Sequence, residues 1–156
     1  MSKIIYRTAK SVDIDLIIRL WIKLRRVHEE LNDYWVTKPG ATKLYEKFML
    51  KEINSKDSLV AVAEYEKRIV GYSWGEVRED APIYKRKSCK VGDLFVEKEF
   101  RRKGVAKKLT KMIEQFAKKK RAKYLIIYSG SENKHAGKFY DSIGLKTIVE
   151  MRVKKV

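Results

Sequence analysis

Hydrophobic positions along this chain recur with two different periods, and each change of period marks an element boundary. Ile4-Ile-Tyr-Arg-Thr8 is a short apolar run that predicts a strand. From Ile14 the spacing changes: Ile14, Ile17, Ile18, Trp21, Leu24, His28 and Leu31 fall on one face of a long helix. Ser11 is the expected N-cap, with Asp13 in the first turn where the helix dipole favours a carboxylate, and Asn32 and Asp33 end the run. A loop over 34–40 containing Pro39 leads to a second helix, Thr42 to about Ile53, packing through Leu44, Phe48 and Leu50. Ser58–Tyr65 and Ile69–Val77 read as two strands joined by a hairpin at Glu66-Lys-Arg68. A charged connection, Glu79 to Lys90 with Pro82, precedes an apolar strand, Val91 to Val96. A helix opening at Gly104 should bury Val105, Leu109, Met112, Ile113 and Phe116. Strand Tyr124–Tyr128, helix Lys134–Ser142 and a final strand pair over Leu145 to Val153 complete the pattern. The class is α+β: a mixed, mostly antiparallel central sheet of about six to seven strands with helices on both faces.

Composition narrows this picture. At 156 residues, with no repeat and no linker, the chain reads as one domain over 1–156. Cys89 is the only cysteine, so no intrachain disulfide is possible and a cysteine-based zinc site is excluded. Its lysine neighbours, Lys87 and Lys90, would lower a thiol pKa, whereas a cysteine at a strand entrance is more often inert. His28 and His135 show no ligand spacing with the acids, which argues against a metal site. No signal peptide precedes the first strand, and no apolar run approaches the ~20 residues of a membrane span, so a cytoplasmic protein without membrane contact is expected. The net charge of +17 is unevenly spread: residues 97–123 hold twelve Lys/Arg against three Glu, a net of +9. Such a surface would draw a ligand with several phosphates, or nucleic acid. For most of the remaining lysines a solvated surface is explanation enough.

The densest basic stretch has its own chemistry. Arg101-Arg-Lys-Gly-Val-Ala106 lies between the strand Val91–Val96 and the helix that follows. The unpaired N–H groups of a first helical turn face the preceding turn, and the helix dipole favours an anion there. Gly104 allows the backbone to approach that anion, and Ala106 keeps the helix start uncrowded. Neither G-x-x-x-x-G-K-[ST] nor G-x-G-x-x-G occurs. A second segment, Asn133-Lys-His-Ala-Gly-Lys-Phe-Tyr140 followed by Ile143-Gly-Leu145, comes after the strand Tyr124–Tyr128.

Taken in order, strand, R-x-x-G-x-A turn, helix, strand and N-x-x-A-x-x-F-Y-x-x-x-G-[FL] resemble the GNAT N-acetyltransferase superfamily over essentially the whole chain. The resemblance implies a GNAT-like sheet and direct acetyl transfer from acetyl-CoA to a primary amine in a ternary complex. It assigns the pyrophosphate to Arg101, Arg102, Lys103, Gly104, Val105, Ala106 and Lys107. The pantetheine arm and thioester carbonyl would meet the main chain of Leu94, Phe95 and Val96, where the family's strand splays from its neighbour. Asn133 would bond the pantetheine amide and could also cap its helix. Tyr140, seven residues on, matches the tyrosine that protonates the departing thiolate, a sensible pairing of a phenol near pKa 10 with a thiol. The plain structural roles are a core tyrosine beside Phe139 and Leu145 for Tyr140, and the helix cap for Asn133.

The general base is not settled by the resemblance. Polyamine acetyltransferases carry a glutamate just before the strand aspartate, and this chain has Gly92 there. N-terminal acetyltransferases of the ribosomal-protein type carry one five residues before the Asn, and this chain has Tyr128. Asp93, Glu76, Tyr128 and His28 remain as candidates, with a water relay or an amine deprotonated on binding as alternatives. Strand alternation sets Asp93 on the face opposite Leu94 and Val96. The acceptor amine, small molecule or protein, is open, and a homodimer is compatible with the fold. The competing reading is a catalytically idle domain that binds acyl-CoA or nucleic acid through its basic face. Asn133 and Tyr140 would have no use in a simple polyanion binder, which weighs against nucleic acid.

Overall fold

The computed structural model describes residues 3–79 and 86–154. Its elements run β1 (Ile5–Thr8), α1 (Ile14–Leu31), α2 (Ala41–Ile53), β2 (Ser58–Tyr65), β3 (Arg68–Glu79), β4 (Lys87–Val96), α3 (Val105–Lys119), β5 (Tyr124–Ile127) and α4 (Lys134–Ser142). The sheet order is β1-β2-β3-β4-β5; the first four strands pair antiparallel and β4 pairs with β5 in parallel. This is the mixed, mostly antiparallel α+β fold expected from the sequence, with five strands among the described residues.

Alternation along the strands builds a core on each face. Val60 and Val62 of β2, with Tyr72 and Trp74 of β3, pack against Ile17, Leu20, Leu24 and Met49 of α1 and α2. Ala61 and Ala63 of β2 point the other way, to Val105, Leu109 and Ile113 of α3. Small residues recur where α3 crosses: a Cβ on Gly75 would stand 2.4 Å from the Ile113 side chain, and one on Gly71 would stand 3.4 Å from Leu109. Close seating of α3 fixes the height of its N-terminus above the sheet.

Several expectations are corrected. The N-terminal helix is not capped by Ser11, which opens a single 3₁₀ turn, Ser11–Asp13. Asp13 holds the corner instead: its carboxylate accepts from the Lys10 N–H at 2.7 Å and from both terminal nitrogens of Arg7. Leu44 is 52% exposed, and α2 buries Met49 with Tyr45 and Phe48 packed beside it. The β2–β3 loop has two residues, Glu66 and Lys67, both at positive φ, the geometry that matches a tight hairpin to strand twist. β4 begins at Lys87 rather than Val91, because Lys87 to Lys90 pair with Glu79 to Glu76 of β3 and Ser88–Val91 also pair with Tyr124–Ile127 of β5. Residues 80–85 of the charged connection, Pro82 included, lie outside the described residues.

The final strand pair does not form. Residues 145–154 carry no regular structure, and Ile148 and Val149 are 90% and 75% exposed, so neither side of the segment is buried. Without a ladder partner its alternating pattern gains nothing from an extended conformation. Among the described residues, no helix is long and apolar enough to cross a membrane.

Candidate active site

Two strands that begin together and then part create the site. β4 and β5 are hydrogen-bonded from Ser88/Tyr124 to Val91/Ile127, and there the ladder stops. β4 continues to Val96 along β3 only, while the chain after Ile127 turns away toward α4. A cavity opens in the fork. Its walls are Gly92, Asp93 and Leu94 of β4, Ile127 to Gly130 after β5, Asn133, Ala136 and Tyr140 of α4, and Leu24 and His28 of α1.

The parting coincides with a bulge. Trp74 of β3 stands opposite Asp93, but the next residue, Gly75, stands opposite Val91, leaving Gly92 as the extra residue. The bulge reverses the alternation. Val91 and Leu94 both pack on the α3 side, while Asp93 faces α1 and α2. A Cβ on Gly92 would lie 1.9 Å from Cζ2 of Trp74, so the indole fills the space a side chain there would need. The glutamate that polyamine acetyltransferases carry at this place has no room here. The carboxylate of this cavity is Asp93.

Asp93 is held from two directions. Trp74 Nε1 donates to Oδ2 at 2.7 Å, and the Tyr45 hydroxyl donates to the same oxygen in a very short bond. The Tyr45 and Tyr72 hydroxyls are 3.4 Å apart, and Ser73 Oγ donates to the Asp93 carbonyl at 2.8 Å. Loss of solvation lifts the Asp93 pKa above the usual carboxylate value, and the two donors and the nearby His28 pull partly against that. Tyr45 and Tyr72 are pushed well above the usual phenol value, chiefly by burial, and so remain donors. Burial lowers the His28 pKa against the pull of Asp93, leaving its imidazole neutral at pH 7. Tyr140 is raised to about 12 by burial and by the Asp93 charge, so it carries its proton.

The other residues singled out from the sequence fall into two groups. Asn133 lines the cavity and caps α4, its Oδ1 accepting from the Ala136 N–H at 3.1 Å. Tyr128 is at the rim, 68% exposed, with Lys90 Nζ 5.2 Å from its ring centre. Glu76 does not line the cavity; it sits opposite Ser58 and Lys90 and pairs with Arg78 at 2.6 Å. Cys89 is fully buried, and burial pushes its thiol up to about 11, opposite to the lowering its lysine neighbours suggested.

The basic turn adjoins the fork through the end of β4. Gly104 immediately precedes α3 at φ +77° with nothing within 4 Å of its missing Cβ, so glycine is required for its backbone angle. Arg102 also takes a positive φ, 61°. The Val105 side chain is buried against the sheet, and only its backbone can serve a ligand, whereas Arg101, Arg102, Lys103 and Lys107 are exposed. Arg101 Nε donates to the Val96 carbonyl at 2.9 Å and its guanidinium lies over Phe95, tying the turn to the strand end. The first-turn N–H groups of α3 thus face an open, positively charged turn, which fits a pyrophosphate.

The sequence model of the acetyltransferase (GNAT) domain matches residues 28–155. The chain belongs to the GNAT acetyltransferase family. An uncharacterised N-acetyltransferase of Archaeoglobus fulgidus is 29% identical over 140 residues, 90% of this chain and 91% of that protein. The fold is similar to a mutant BH1408 protein from Bacillus halodurans, with TM-score 0.86 and 20% identity over 97% of this chain and 99% of that one. It is also similar to the aminoglycoside N-acetyltransferase AAC(6')-Iy in complex with CoA, at TM-score 0.78 and 15% identity, covering 100% and 96% of the two chains.

The residues that hold Asp93 are not singled out by any motif in the sequence. Tyr45 and Trp74 lie 48 and 19 positions away, on α2 and β3, and no local motif links them. One signal was present: an isolated glycine inside a strand, Gly92, marks a bulge or a close approach.

Proposed function

We propose that this GNAT acetyltransferase transfers the acetyl group of acetyl-CoA directly to a primary amine in the fork between β4 and β5. The observation that carries the reading is the pairing of a neutral phenol, Tyr140, with a half-buried carboxylate, Asp93, in one cavity beyond an anion-binding turn. The turn at Arg101–Lys107 would hold the pyrophosphate, and the free edge of Leu94–Val96 would take the pantetheine arm. Asn133 would orient the pantetheine amide. The amine nitrogen attacks the thioester carbonyl and forms the C–N bond; Asp93 takes the amine proton; the C–S bond breaks; Tyr140 gives its proton to the departing sulfur. A carboxylate with a raised pKa is a better base, and Asp93 lines the cavity whereas Glu76 pairs with Arg78 outside it, which favours Asp93.

The acceptor belongs to the primary amines, with polyamines, aminoglycosides, protein lysines and protein N-termini as the set to test. Incubation with radiolabelled acetyl-CoA and one amine of each kind should give amine-dependent release of CoA thiol, lost by ~10²-fold or more in Asp93→Asn. Binding of acetyl-CoA with no amine-dependent release from any of them would favour the idle acyl-CoA-binding domain instead.

A further inference from the structure

We propose that Tyr45 and Trp74 are positioning residues for the base: they clamp Oδ2 of Asp93, fix the carboxylate plane in the fork, and leave Oδ1 to meet the acceptor amine. The inference rests on the reading of Asp93 as base and adds what aims it. Both donors converge on one oxygen of the carboxylate. Each is immobilised by its own packing. The Tyr45 ring stacks on Trp21 with centroids 4.2 Å apart and planes 7° from parallel, and the Trp74 ring meets Phe48 edge-on at 5.1 Å. Neither ring can follow a rotating carboxylate, so the carboxylate must follow them. The bulge completes the arrangement. Gly92 lets the indole lie against the strand, and Ser73 anchors the Asp93 carbonyl, so side chain and backbone are held separately.

The clamp has an electrical consequence as well as a geometric one. A hydrogen bond donated to a carboxylate stabilises its charged form and lowers its pKa. Removing a donor therefore raises the pKa of Asp93 and moves the acid limb of the pH–rate profile to higher pH. The titratable groups that interact with Asp93 are His28 from α1, Tyr45 from α2, Tyr72 from β3 and Tyr140 from α4. The three phenols stay neutral through the working range. His28 interacts electrostatically with Asp93, so a rate limb would report both groups and the carboxyl must be read by itself.

The experiment titrates the Asp93 carboxyl carbon by ¹³C NMR in the wild type, Tyr45→Phe and Trp74→Phe, beside kcat and KM on an accepted amine. Tyr45→Phe keeps the ring that stacks on Trp21. It should raise the carboxyl pKa by about one to two units and shift the kcat/KM limb in the same direction. It should also lower kcat at neutral pH and leave acetyl-CoA affinity unchanged. Trp74→Phe, read by NMR alone, should shift the carboxyl in the same direction. In an Asp93→Asn background, Tyr45→Phe should have no further effect on kcat. An unchanged carboxyl pKa in both folded variants would overturn the clamp while leaving Asp93 as the base. Full activity in Asp93→Asn would overturn the base reading and the positioning role with it.

Discussion

Gly92→Ala tests the architecture of the site with one methyl group. The added Cβ would lie 1.9, 2.1 and 2.7 Å from Cζ2, Cε2 and Cη2 of Trp74. Restoring ordinary carbon contact near ~3.5 Å requires the indole to move by about 1.6 Å. The ring has little freedom, since Phe48 packs on it and Nε1 is bonded to Asp93. Overpacking of this kind costs ~1–3 kcal/mol, and losing a hydrogen bond to a carboxylate adds ~1.5–3 kcal/mol. At ~2–4 °C per kcal/mol for a chain of this size, a fall in Tm of the order of 10 °C should appear in a calorimetric melt. Trp74→Phe removes the atoms that clash, so Gly92→Ala should cost less than half as much in that background. Gly92→Glu, which returns a carboxylate to the position used by polyamine acetyltransferases, should be at least as damaging as alanine. A Gly92→Ala protein melting within ~2 °C of wild type would refute the packing described for the bulge.

Tyr140→Phe should lower kcat by ~10²-fold or more and leave acetyl-CoA affinity nearly intact; an unchanged kcat would leave Tyr140 only a packing role. Gly104→Val forces a branched residue to φ +77° and should abolish the thermal stabilisation that acetyl-CoA gives the wild type, in a chain that remains folded. Cys89 and Tyr140 have folded pKa values raised to about 11 and about 12, so each favours its protonated form in the native state. Their contribution is complete below the unfolded values of about 8.5 and 10 and is lost as pH rises through the folded ones, ~3 kcal/mol apiece. Urea midpoints should therefore fall from about pH 9 to pH 12, with a smaller early fall in Cys89→Ala; a flat profile to pH 11 would contradict both assignments.

Local patterns carried most of the fold. The three- and four-residue spacing from Ile14 to Leu31 and the strand–turn–helix around Gly104 depend on neighbours in sequence, and both elements formed where those patterns placed them. The spacing from Asn133 to Tyr140 sets both on α4 and its cap, so their meeting in one cavity follows from helix geometry. What was not legible depends on partners distant in sequence. Leu44 and Met49 are both plausible inward residues of α2, and only the course of α1 over the sheet decides between them. β4 starts four residues early because β3 and β5 are there to pair with it, and Leu145–Val153 stays irregular because nothing pairs with it among the described residues. The base was undecidable for the same reason. Asp93 differs from Glu76 through Tyr45, Trp74 and the bulge, none of which shows in the spacing of the acids.

A crystal structure of the acetyl-CoA complex would decide where the cofactor and the reacting carbon sit. The pyrophosphate should lie on the N–H groups of Val105 to Lys107, the pantetheine along Leu94–Val96, and the acetyl carbon in the fork between Asp93 and Tyr140. Acetyl-CoA bound elsewhere, or a thioester directed away from Asp93, would contradict that arrangement.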